Sequence, residues 1–112
     1  MAYDEELADR LRVLLAGEPG LRESRMFGGL AFLLDGHMAV AVSGRDGLMV
    51  RVDPADTDSL VEHEGVERME MRGRAMNGWL RVAVDAVATD DDLARWAGHG
   101  VAFVRVLPPK HP

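Results

Sequence analysis

The 112-residue chain is 47% hydrophobic and 29% charged, which fits one globular domain able to bury roughly two-thirds of its unfolded surface and excludes a disordered or fibrous chain. Its 13 basic and 19 acidic residues leave a formal net charge of −6, which repels polyanions and argues against nucleic acid as a direct partner. Cysteine is absent, so disulfides and thiolate zinc sites are excluded, and no apolar run approaches the roughly 20 residues that cross a bilayer.

Asp4 is placed to cap a first helix, with Glu5 and Glu6 near the positive end of its dipole and an apolar stripe of Leu7, Leu11, Leu14 and Leu15. Gly17 reads as the left-handed residue that ends it, and Pro19-Gly20 prevents continuation. Residues 26–53, MFGGLAFLLDGHMAVAVSGRDGLMVRVD, read as an antiparallel meander: strand 26–34, a tight Asp35-Gly36 turn, strand 38–42, a turn over 43–47 and strand 48–52. Gly28-Gly29 reads as a bulge within the first of these.

Asp53-Pro54 opens a second helix that ends at Gly65, since aspartate accepts from orphan amides and proline suits the first helical position. A fourth strand covers 66–72, with Met69 and Met71 on one face. Residues 73–78 read as a hairpin loop and 79–84 as a fifth strand. Thr89 and Asp92 have capping-box spacing and start a final helix with Leu93, Trp96, Ala97 and Val101 on its inner face. Gly98 and Gly100 weaken its far end, and 101–106 also fits an extended segment. Residues 107–112 are expected to form a mobile tail.

The order α-β-β-β-α-β-β-α predicts an α+β two-layer sandwich: an antiparallel five-stranded sheet with helices on one face, in a single domain spanning 1–112. The first two strands are apolar on both sides, Phe27, Ala31 and Leu33 opposing Leu30, Phe32 and Leu34, while Ala39 and Ala41 oppose Met38, Val40 and Val42. One layer of helices cannot cover both. A second copy of the chain is the economical cover, through either the set Leu30, Phe32 and Leu34 or the set Phe27, Ala31 and Leu33; an edge loop or the tail is the other candidate.

Met26-Phe27-Gly28-Gly29, an apolar strand, Asp35-Gly36-His37-Met38 and then 48–53, LMVRVD, resemble the "MFGG … dGkm … lylKvd" signature of the TfoX N-terminal domain family, named for competence regulators of the Sxy/TfoX type. The segment 73–79, GRAMNGW, and a closing helix with Leu93 and Trp96 extend the resemblance over about residues 5 to 100. It implies a cytoplasmic, non-enzymatic domain with a secretion-chaperone-like fold, often dimeric, linked in some relatives to transcriptional control of DNA uptake. The longer competence regulators carry a second domain, so this chain reads as a single-domain member. Arg51 stands where many relatives carry lysine, which keeps the charge but changes the geometry of any contact.

No catalytic set emerges from the residues. His37, His63, His99 and His111 are isolated, His63-Glu64 lacks the second histidine of a zincin helix, and Ser24, Ser43 and Ser59 have no nucleophile elbow. Gly73 and Gly78 lack the lysine and helix start of a phosphate loop, and Arg72 and Arg74 read as a solvated hairpin tip. The run Asp90-Asp91-Asp92 suits a helix start without calcium. Most of the seven methionines fill core positions, although Met69 and Met71 are placed to line an adaptable groove.

The expectation is thus a non-enzymatic regulatory or adaptor domain that acts through protein contacts as a homodimer and with a protein partner still to be identified, in the cytoplasm, without cofactor, metal, membrane or direct nucleic-acid binding. The alternative is a small-molecule sensor with a pocket between sheet and helices near Met76, Trp79 and Trp96.

Overall fold

The computed structural model describes residues 3–26, 28–44 and 47–108, and of these the side chain of Met71 is not described. Six strands, β1 (Leu21–Met26), β2 (Gly29–Leu34), β3 (His37–Val42), β4 (Leu48–Arg51), β5 (Val66–Met71) and β6 (Arg74–Val82), form one open sheet in the order β1-β2-β3-β4-β6-β5. Every neighbouring pair is antiparallel. Three α-helices accompany it: α1 (Glu5–Leu15), the single turn α2 (Thr57–Leu60) and α3 (Asp90–Arg105).

Local chemistry sets the helix ends. The Asp4 side chain accepts from the Leu7 N–H at 3.1 Å, and Leu7, Ala8, Leu11 and Leu15 are buried at helical spacing. Leu14 is instead 40% exposed, and Gly17 is not left-handed; the positive φ of this connection belongs to Gly20, at 73°. Thr89 accepts from the Asp92 N–H at 3.1 Å, and α3 runs unbroken to Arg105, which rules out the extended segment over 101–106. Asp53 does cap the next element, accepting from the Ala55 N–H at 2.9 Å. That element is only a 3-10 turn (Pro54–Asp56) followed by α2, much shorter than the helix expected to reach Gly65.

The sheet has six strands, not five, the additional one being the edge strand β1. Residues 21–26 form an edge strand whose Arg22, Glu23 and Arg25 show no apolar alternation, charges that protect a free edge. Gly28, at φ 78°, lies in the two-residue connection between the paired Met26 and Gly29, so the glycine pair makes a hairpin turn and not a bulge. Likewise Arg72 and Gly73, at φ 54° and 78°, are the whole turn between β5 and β6, and residues 74–78 are strand. The register shifts further along, where Arg68 faces Leu80 while Met69 faces Met76, so that residues 77–79 of β6 bulge out of the pairing.

One face of the sheet carries the core. Leu30, Phe32, Val40, Val42, Leu48, Val50, Leu80 and Val82 pack with Leu7, Leu11 and Leu15 of α1, Leu60 of α2 and Leu93, Trp96 and Ala97 of α3. Each such side chain contributes about 1.5–3 kcal/mol by leaving water. A bulge at Ala39 shifts the register between Phe32–Val40 and Leu33–Met38, and turns Ala39 into a second cluster with Leu34 and Val104. Among the described residues no helix is long and apolar enough to cross a membrane.

Candidate functional site

The residues first nominated for contact divide between the two faces. Leu30, Phe32 and Leu34 are buried within this single subunit by its own helices, so that set is already occupied. Ala31 and Leu33 alternate onto the opposite face, and Phe27 lies outside the described residues. Trp96 is buried in the core, with the ring centroids of His63 and His99 each 5.4 Å from its own. Trp79 and Met76 are half-buried on β6.

The cleft seen in the structure is lined by none of Met76, Trp79 and Trp96, nor by any helix residue. It lies on the sheet face that the helices leave open. In-register pairing lays Ser24, Ala31, Ala41, Met49, Arg81 and Glu67 side by side across all six strands. Gly29, Ala31 and Ala41 give the cleft a floor with no side chain longer than a methyl group, and Met26, Met38, Met49 and Met69 stand around it. Ala31 and Ala41 are only 1% and 5% exposed although no helix covers them. The space is about 620 Å³, within the range of small-ligand sites.

The Ala39 bulge is what brings Met38 here, pairing it with Leu33 instead of aligning it with Val40 and Val42 as strict alternation predicts. Its polar wall comes from Glu67, Glu70, Arg68 and Arg81. Arg68 is committed elsewhere, to the carboxylate of Asp58 and to Asn77 Oδ1 at 3.1 Å. Arg81, half-buried, forms no ion pair among the described residues, and Glu67 and Glu70 are exposed.

A second arrangement sits where β4 ends. Arg51 places its guanidinium carbon 5.4 Å from the ring centroids of both Trp79, its register partner on β6, and Phe103 of α3. Close by in sequence, Thr57 is buried and its Oγ1 accepts from the Gly78 N–H at 2.8 Å. Neither cluster is visible as a sequence motif, because each depends on the bulge that brings 77–79 against β4 and α2.

The model of the TfoX N-terminal domain family matches residues 13–104. The chain belongs to the TfoX N-terminal domain family. No curated protein matches it closely enough to count as a relative.

The segments that carry the TfoX resemblance now have places. Met26, Gly28 and Gly29 shape the β1–β2 turn at the lip of the cleft, where a Cβ on Gly29 would run into the Val42 carbonyl oxygen. Asp35-Gly36, at φ 51° and 88°, turns β2 into β3. Gly78, at φ 89°, lets 77–79 bulge, and its carbonyl accepts from the Val52 N–H at 2.9 Å.

The histidines of this TfoX domain do other work. His37 Nε2 lies 2.6 Å from the Pro108 carbonyl oxygen and so donates to it, and the buried Nδ1 has no hydrogen-bond partner among the described residues. The hydrogen bond joins Pro108 to β3, and Leu107 packs on the Leu34 and Val104 cluster. Residues 109–112, with His111, lie outside the described part. His99 is half-buried, and desolvation pushes its pKa below the ordinary value. Among the described residues no three His, Cys, Asp or Glu side chains come together in a metal-binding group.

Proposed function

We propose that this TfoX N-terminal domain is a non-enzymatic regulatory adaptor whose contacts, first of all with a second copy of itself, are made by the uncovered face of the sheet. One observation carries the reading: the helices spend themselves on the face of Phe32 and Val50, while the other face holds a methionine-walled cleft floored by Ala31 and Ala41. Methionine is unbranched and polarizable, so such walls adapt to varied apolar groups. The rim bears Arg81 beside exposed Glu67 and Glu70. A patch with both signs complements itself across a two-fold axis. Membership of the TfoX family supports the regulatory part of the reading.

Light scattering on the wild-type chain at micromolar concentration tests it. A dimer is expected, converted to monomer by Met49→Glu, which puts a charge in the wall without touching the core. A wild-type monomer that also recovers no partner from cell extract sinks the proposal. Direct DNA binding is not expected at a net charge of −6, and salt-dependent retardation of DNA would contradict that part.

A cleft of about 620 Å³ also suits a small-molecule sensor. Its pocket would then be the open face, not the sheet–helix interior near Trp96. Thermal shifts across a metabolite panel, abolished by Ala41→Leu, distinguish this reading from the adaptor.

A further inference from the structure

We propose that Arg51, set against the rings of Trp79 and Phe103, is a receptor for an oxyanion, the carboxylate or phosphate group of a small ligand. Its guanidinium lies over both rings at 5.4 Å from each centroid, one ring from β6 and one from α3. Ring faces attract the cation but accept none of its five N–H donors in the plane.

Those donors have no other taker. Arg10, Arg12, Arg68, Arg95 and Arg105 each reach a carboxylate, whereas Arg51 makes no hydrogen bond or ion pair among the described residues. Its nearest carboxylate in sequence, Asp53, is engaged in capping the Ala55 N–H at 2.9 Å. Nor are the nitrogens sealed in. Among the described residues the buried side-chain polar atom lacking a partner is His37 Nδ1, so the half-buried guanidinium of Arg51 keeps its edges open to the outside.

A guanidinium set against two aromatic rings that take none of its hydrogens, and with no acceptor of its own among the described residues, suits bidentate recognition of an oxyanion. Planar oxyanion edges match the guanidinium fork, and the rings have already fixed the rotamer that binding would otherwise have to order. A lysine here would supply a point charge without the fork. The overall net charge of −6 opposes anion capture, so binding is expected to be modest and to weaken with added salt.

The chain's two tryptophans make the test selective, because Trp96 is buried in the core and Trp79 lies against Arg51. With Trp96→Phe in the full chain, Trp79 alone reports. Titrations at low salt with inorganic phosphate and, separately, with succinate should give a saturable change in emission, and the stronger of the two names the source of the oxyanion. Arg51→Lys should bind about tenfold more weakly, and Arg51→Met, which keeps the apolar stem on the rings, should not respond. If Trp96→Phe does not fold, the Arg51 Nε–H resonance of the wild type replaces the emission readout. No saturable response to either probe, or an equal one in Arg51→Met, overturns the proposal and leaves Arg51 as a clasp between β4, β6 and α3.

Discussion

Gly100 of α3 lies so close to Ala39, the bulged residue of β3, that a Cβ at position 100 would run into the Ala39 carbonyl oxygen. This is where the final helix settles onto the sheet, and backbone cannot move aside as a flexible side-chain tip can. Gly100→Ala is therefore expected to destabilise the fold by about 1–3 kcal/mol through overpacking, despite alanine's better helix propensity. Gly98, two residues earlier and facing open space, should behave oppositely and gain about 0.5–1 kcal/mol as alanine. Urea unfolding of the two variants checks the pair, and a shared sign would refute the close approach.

Thr57 should be sensitive to loss of a single oxygen. Its Oγ1 accepts from the Gly78 N–H inside the bulge of β6, at a site only 1% exposed. Thr57→Val keeps the shape and strands that buried donor, at a cost of about 1–3 kcal/mol, while Thr57→Ser should retain most of the stability. Equal urea midpoints for Val and wild type would show the bond to be dispensable.

What could be read beforehand follows from which residues face the core. Leu48, Val50, Leu80 and Val82 alternate strictly because one side of their strands is buried, and that period survives in the sequence. Strand β1 leaves no such trace, since only Leu21 turns toward the core while Arg22, Glu23 and Arg25 decorate an edge. The surplus of apolar residues over 30–42 is legible, but its division between faces is not. The bulge at Ala39 sends Met38 to the open side, and its companion is Gly100, more than 60 residues away. For the same reason Trp79 and Trp96, both natural candidates for a pocket, end in different environments, one against Arg51 and the other beside two histidines.

Arg105 ties two connections, α1–β1 and β2–β3, to the end of α3. It donates to Glu18 at 2.8 Å, to the Pro19 carbonyl at 2.9 Å and to Asp35 at 3.2 Å. Because the partners are partly exposed, Arg105→Met should cost only about 1–2 kcal/mol. It should also make stability less dependent on salt. Arg105→Lys cannot span all three acceptors and should fall between. Salt-dependent urea midpoints distinguish the charged network from simple stem packing, which would make Met as good as Arg.

His99 gives the stability a slope in mild acid. Its ring lies 5.4 Å from that of Trp96, and burial, with smaller contributions from Arg95 and His63, lowers its pKa against the opposing pull of Asp56. In the unfolded chain the same imidazole titrates near 6.5. Below that pH the unfolded chain takes up the proton before the folded one does, so stability is complete above about pH 6.5 and declines as pH falls toward the depressed folded value. His99→Gln should flatten this decline without changing its plateau by the same mechanism. NMR titration of the folded chain checks the cause directly: a His99 midpoint at or above 6.5 would place the acid sensitivity on another group.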